Sequence, residues 1–464
     1  MFVCTFAGHM RQTGVRILTE GKIFSQLVGL ALPLMATGFI QMAYTLTDMA
    51  WVGRLGSREL AAIGAVGIIV WITQSFALIG KTAAEITIAQ SIGSHNPGMA
   101  KAYASHAFTI SAVLSIILAS LLVSFGTSIV SFYKLEADIA DMAAGYLRIV
   151  GTGIPFYYLS YTFSGIYNGT GNTATPFYLM STGLVCNILL DPLLIFGVGS
   201  LEGMGTRGAA LATVLSQMVV FALFVWRTKR ADGVLDRFSY FVKVKREYVL
   251  RILKLGTPIA LMNGFFAVIN FFMARIASEY GGHLGVMSQT TGSQIEGITF
   301  ITSQGFSVAL ATFVAQNYAS GKTQRAQKAY RYVLATLLSF GIVITFVFMT
   351  WGEAIFGIFV PEQEAKAAGG HYLYIMAFCQ IFMMLETATL GMWNGYGKTL
   401  PPAVISIGLN FARLPLALWL SPLIGITGVW VAISVSASLK GLASAIWWKL
   451  SGLKKDYQPS GAAD

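Results

Sequence analysis

Charge is what this chain has least of. Only 11% of its 464 residues are Asp, Glu, Lys or Arg, against about 25% in a soluble domain. Cysteine is nearly missing too. Of three, Cys186 and Cys379 fall within apolar stretches, so neither a disulfide framework nor a thiolate metal site follows. The five histidines, His9, His95, His106, His283 and His371, form no H-x-x-x-H pair. A membrane-embedded enzyme would want a His, Cys or multi-acid constellation at catalytic spacing, and none stands out. No short apolar leader with a small-residue cleavage site opens the chain, so a cleavable signal is not expected. No loop of repeated carbonyl donors suggests a channel filter.

What is present is apolar length. Hydrophobic residues make up 55% of the chain. Twelve segments are long enough to span a bilayer, at approximately 24–52, 58–93, 98–125, 138–168, 174–198, 205–227, 246–275, 286–320, 324–350, 365–394, 400–421 and 426–450. The expectation is an all-α polytopic membrane protein. Its parts would be a tail over 1–22, a six-helix lobe over 23–228, a basic linker over 229–245, a second six-helix lobe over 246–450 and a tail over 451–464.

Net charge is +11. In a soluble protein that would raise nucleic acid as a partner; here topology explains it. Basic residues gather in the N-terminal tail, the even-numbered connections and the C-terminus. They include Arg11, Arg16, Lys101, Lys322, Lys398, Lys454, Lys455 and the run Arg227, Lys229, Arg230, Arg237, Lys243, Lys245 and Arg246. The opposite connections carry Glu136, Asp138, Asp141, Glu353, Glu362 and Glu364. The bias predicts a multi-pass protein of the cell membrane with both termini cytoplasmic. The bilayer and a small molecule are the partners expected; no nucleic acid or obligate protein partner is evident.

The two halves repeat. Asn168-Gly169-Thr170-Gly171-Asn172-Thr173 returns 226 positions later as Asn394-Gly395-Tyr396-Gly397-Lys398-Thr399. Ala89-Gln90 returns as Ala315-Gln316, Pro33 as Pro258, and Gly205-x-x-Gly208 as Gly425-x-x-Gly428. The N-G-x-G turns lack the Lys-Ser/Thr and the preceding strand of a phosphate loop; glycine at positive φ explains them better. Six spans per unit is an even number, so the repeats run parallel, related by a pseudo-two-fold along the membrane normal. That is the plan of an alternating-access transporter.

Inside these spans, charge is conspicuous. Asp191 sits in Asn187-Ile188-Leu189-Leu190-Asp191-Pro192, where an acid costs about 2.5–3.5 kcal/mol and marks a functional site by default. Asn187 is one turn earlier on the same face. Pro192 frees the carbonyl of Ile188. The second-half counterpart, Asn410-Phe411-Ala412-Arg413-Leu414-Pro415, keeps Asn and Pro but no acid. The kink is therefore shared architecture, and Asp191 is added chemistry. Asp48 closes a helical stripe of Gln41, Tyr44 and Thr45, with pairing to Arg54 as its competing role. Lys81 and Glu85 lie one turn apart and are expected either to neutralise each other or to gate.

Together with Asp48-Met49-Ala50-Trp51-Val52-Gly53-Arg54-Leu55-Gly56, Ile88-Ala89-Gln90-Ser91-Ile92-Gly93 and Gly208-Ala209-Ala210-Leu211-Ala212-Thr213, these features resemble the multidrug and toxic compound extrusion (MATE) family over residues 20–450. The resemblance implies two six-helix bundles and export of organic cations or amphiphiles, driven by inward protons or sodium, with no cofactor. It also implies a coupling site, for a proton or a monovalent cation, at Asp48, Asn187, Asp191 and Thr213. Glu296 resembles a position where other branches carry a functional acid, and Glu386 lies within about one turn of another such position. Arg413 and Lys440 are expected to neutralise them. The remaining readings are a lipid-linked oligosaccharide flippase of the same superfold and a membrane-embedded enzyme.

Overall fold

A computed structural model describes residues 15–199, 201–230 and 238–452. Arg11, Arg237, Lys454, Lys455 and His9 lie outside them. The helices are α1 (Ile23–Gly53), α2 (Ser57–Gly93), α3 (Pro97–Ser131), α4 (Ala137–Gly169), α5 (Ala174–Phe196), α6 (Gly205–Arg230), α7 (Arg246–Ala319), α8 (Thr323–Phe356), α9 (Gln363–Gly395), α10 (Leu400–Ile424) and α11 (Ile426–Leu450). Ten of them are long and apolar enough to cross a membrane. The seventh and eighth expected spans form the single 74-residue α7, broken at Gly282, where φ is 54° and ψ −148°. Polar Arg275, Glu279 and His283 suggest a loop over 276–285, but one glycine makes the turn and the helix continues on both sides. Between α5 and α6, Gly197–Val198 pairs antiparallel with Leu201–Glu202, a small exception to the all-α expectation.

The chain divides into two compact units, and the division falls inside helices rather than at 22/23 and 245/246. One unit is Ala36–Ala260 with the residues up to Ile17; the other is Leu18–Met35 with Leu261 onward. The physical reason is where the arms before Pro33 and Pro258 bury their apolar faces. Leu18, Leu27, Leu30 and Ala31 pack among Ala309, Leu310, Phe313 and Val314 of the second half. Phe238, Ile252, Leu255 and Ala260 pack among Ile79, Ala83, Ala104 and Phe163 of the first. Phe238, inside the expected 229–245 linker, is thus core, ringed by Phe108, Phe163 and Tyr240.

The repeated Ala-Gln pairs hold these arms. Gln90 Oε1 accepts from Arg251 Nη2 at 3.3 Å. Gln316 Oε1 accepts from the Leu18 amide at 2.9 Å. The two glycines of each N-G-x-G turn do different jobs. Gly171 and Gly397 take positive φ, 80° and 70°. Gly169 and Gly395 instead press against the backbone of Glu85 and of Ala311, where a Cβ would collide.

Candidate functional site

The site is assembled on three helices of the first unit. On α5, Gly183, Asn187 and Asp191 recur every four residues and so share a face, and all three are buried. Asn187 and Asp191 are 0% exposed. That depth requires a partner for each polar atom. Asn187 Nδ2 donates to Asp191 Oδ1 at 3.2 Å. The stripe on α1 brings Asp48 to this face: its carboxyl group faces that of Asp191 at close range, with Asn187 beside both. Thr213 Oγ1 on α6 donates to Asp48 Oδ2 at 3.4 Å and to Ala209 O at 3.1 Å. Tyr44 donates its hydroxyl to Gly183 O at 3.0 Å, locking α1 against α5.

Several oxygens here are buried with no hydrogen-bond partner: Asp48 Oδ1, Asn187 Oδ1, Asp191 Oδ2 and Ser216 Oγ. Two carboxylates facing each other in low dielectric cannot easily both stay charged. A proton held by one of them, shared with the other, or a hard monovalent cation between them, would remove the repulsion and give the carboxyl oxygens a partner. Asp48 does not pair with Arg54, whose guanidinium instead lies 4.7 Å from the Trp51 ring centroid.

Tyr146, Ser216 and Gly183 were not legible as members of the site. Tyr146 on α4 stands within the electrostatic reach of both acids. Ser216 follows Thr213 by three residues and Gly183 precedes Asn187 by four, so helical spacing from the chosen residues was the available signal. Lys81 and Glu85 are not brought here. Glu85 backs onto Gly169 at the far end of α4 from Tyr146. Those 23 residues correspond to about 35 Å of helix. Gln41, for its part, accepts through its carbonyl from Thr45 Oγ1.

In the second unit, Glu296 accepts from the Tyr372 hydroxyl at 2.6 Å and, weakly, from Gln380 Nε2 at 3.5 Å. Lys440 Nζ pairs with Glu386 Oε2 at 3.3 Å. Arg413 donates Nε to Ser436 Oγ at 3.0 Å and stands within the field of Glu386 and Glu296. Two acids and two bases therefore form a compensated network, unlike the acid pair of the first unit. A double-mutant cycle of Glu386→Gln and Lys440→Met, read by thermal unfolding in detergent, is expected to give a coupling of about 1–2 kcal/mol. Additivity within about 0.3 kcal/mol would show the pair to be incidental.

The MatE family profile matches residues 33–193 and 258–419, one copy in each half. The probable multidrug resistance protein NorM of Thermotoga maritima is 27% identical over 420 residues, 89% of each chain. The FAD transporter of Shewanella oneidensis is 25% identical over 430 residues, covering 92% of this chain and 94% of that one. The crystal structure of a MATE protein in complex with MaL6 superposes with a TM-score of 0.87 at 22% identity, over 95% of this chain and 98% of that one.

Proposed function

Because this chain belongs to the MatE family, a family of membrane transporters and not of enzymes, we propose that it is a secondary active efflux transporter for organic cations or amphiphilic compounds. Inward protons or sodium drive it by antiport, and the ion binds in the first lobe at Asp48, Asn187, Asp191 and Thr213. The observation that carries this reading is the buried acid pair, Asp48 facing Asp191, with an unpartnered oxygen on each. Such a pair costs too much to keep empty in a membrane without a function. The relative described as a multidrug resistance protein supports export as the direction. The Lys and Arg bias supports the cell membrane, with both termini cytoplasmic.

Antiport requires that ion and substrate favour opposite conformations. Pro33, inside α1, removes one helical hydrogen bond on the same helix as Asp48, and so gives ion binding a place to act on the backbone. Membrane voltage contributes about 2.3 kcal/mol per charge per 100 mV. Exchange of one proton for one monovalent cation cancels that contribution and leaves the chemical gradient as the driving force. The flippase alternative calls for cationic surface, yet Arg413 and Lys440 stand against Glu296 and Glu386.

The test is purified protein in proteoliposomes carrying rhodamine 6G, with sodium and pH gradients imposed separately. Dye movement is expected to accelerate under at least one gradient and to stop when that gradient is collapsed by an ionophore. Movement indifferent to both gradients would sink the antiport reading.

A further inference from the structure

Arg148, on α4, is an exposed cation with no acid beside it. On the same side of the first unit, Arg58 pairs with Glu136 and Asp138, and Arg207 pairs with Asp141. Arg148 lies seven residues past Asp141, about 10 Å farther along the helix. Among the described residues its guanidinium makes no salt bridge. Its stem lies on Gly126 of α3, where an added Cβ would stand 3.5 Å from Arg148 Cγ. Its Nη2 donates to Thr127 Oγ1 at 2.7 Å. Thr73, Thr109 and Thr162 send their hydroxyl protons to a carbonyl four residues back. Thr127 accepts from Arg148 and, among the described residues, donates to nothing. Tyr146, which stands in the field of both acids, is two residues before Arg148, about 200° around the helix. The Arg148–Thr127 pair therefore faces away from the acid pair.

The depth of this pair is that of lipid headgroups. The 35 residues of α3 make about 52 Å of helix, against a hydrocarbon core of about 30 Å. Centred in that core, α3 projects about 11 Å at each end. Thr127 is four residues from the end at Ser131, about 6 Å, and so stands outside the hydrocarbon. Deeper along α3, Leu121, Ile117, Ile116 and Val113 are exposed, an apolar stripe. It reaches 14 residues from Thr127, about 21 Å, a little more than the hydrocarbon of one leaflet. The repeat shows that packing does not require the pair. Gly126 is seated against Leu147, and Gly352 is seated against Leu373. Both sets are separated by 226 positions, so the crossing of α3 with α4 recurs between α8 and α9. There Thr127 and Arg148 correspond to Glu353 and Tyr374, both exposed. Tyrosine is a residue type of membrane interfaces, which agrees with the depth, and an acid in place of Thr127 repels phosphate. The backbone geometry is shared; the two donors belong to the first lobe alone.

We propose that Arg148 and Thr127 bind the phosphate of an anionic phospholipid whose acyl chain lies along the exposed stripe of α3. The guanidinium fork fits two phosphate oxygens, and the Thr127 hydroxyl supplies a further donor. A lipid of net charge −1 gives Arg148 the counter-charge that the protein does not. A zwitterionic lipid brings its own cation and leaves Arg148 uncompensated. Free inorganic phosphate offers the same headgroup chemistry without the chain, and the test separates the two.

Purified full-length protein in detergent is titrated with dioleoyl phosphatidylglycerol or dioleoyl phosphatidylcholine, and occupancy by the first lipid is read by native mass spectrometry. Arg148→Gln is expected to weaken phosphatidylglycerol by about tenfold or more, and Thr127→Val by about threefold, with phosphatidylcholine changed less than about twofold by either. Arg148→Lys keeps the charge without the fork and is expected to fall between wild type and Arg148→Gln. Arg58→Gln removes a cation from the same side and is expected to leave lipid binding as it is, because that cation already has its acids. Equal losses for Arg148→Gln and Arg58→Gln, an undiminished affinity in Arg148→Gln, or a wild type that binds both lipids alike overturns the proposal. So does displacement of phosphatidylglycerol by millimolar inorganic phosphate at constant ionic strength, which makes the pair a site for a soluble anion. Lipid occupancy needs no gradient, so the result stands apart from the efflux reading.

Discussion

Asp48→Asn and Asp191→Asn, each in proteoliposomes, are expected to lower gradient-driven efflux roughly tenfold to a hundredfold, the span of a coupling free energy of about 1–3 kcal/mol. The amide is nearly isosteric with the carboxyl, so the helices should still pack; what it loses is the ability to exchange a proton or neutralise a cation. Each variant resembles a site permanently loaded at one position. Because ion and substrate favour opposite conformations, dye binding is expected to weaken and to lose its response to the coupling ion. Asn187→Leu should act in the same direction, because Asp191 Oδ1 then loses its donor at 3.2 Å. Thr213→Val should cost least, since its bond to Asp48 is already long at 3.4 Å. Wild-type coupled efflux in both Asp variants would remove the acid pair from the mechanism.

Asp48, Asn187 and Asp191 stand out in the sequence for a physical reason, whereas Thr213, on another helix, entered only through the family resemblance. Acids in apolar runs stand out against their cost, and helical spacing says which polar residues share a face. Tyr146 gave no such signal, because tyrosines are common in this chain and its partners lie on other helices. That Lys440 and Arg413 neutralise Glu296 and Glu386 follows from charge in apolar spans; that Lys440 meets Glu386, 54 positions away, depends on how α9 and α11 pack, which no periodicity encodes. Lys81 and Glu85 are legible only in part. Spacing puts them on one face, where Glu85 attracts Lys81; that the cation also stands over Tyr161 on α4 is set by packing.

The fold divides along the same line. Span count, repeat and the positive-φ glycines follow from local composition, and Gly171 and Gly397 sit where the turn needs them. The exchange of arms before Pro33 and Pro258 does not. Hydropathy reports how apolar an arm is, not which half of the chain covers it. Nor does polarity distinguish a loop from a one-residue break, as Gly282 shows.

That exchange carries the second large prediction. In the first unit, Gly256 of the α7 arm presses on the backbone of Ile79, so a Cβ there would meet the Ile79 carbonyl. In the second unit, Ala31 of the α1 arm meets Gly305, where an added Cβ would strike Met35 and the Ala31 carbonyl. Aligned by the prolines and the Ala-Gln pairs, Gly256 corresponds to Ala31 and Ile79 to Gly305. The crossing is the same, and the glycine has moved to the other helix: one partner must lack a side chain, and either will serve. Gly256→Val and Gly305→Val are each expected to destabilise by about 3 kcal/mol, near the upper end of overpacking because backbone cannot give way as a side chain can. In scanning fluorimetry that corresponds to a Tm lower by about 5–10 °C. Gly264→Val, farther along α7 beyond Pro258 and with open space at its Cβ, is the control. Valine suits a helix slightly better than glycine, so this variant is expected to hold its Tm. Equal falls for Gly256→Val and Gly264→Val would mean that glycine content, not the crossing, governs these arms.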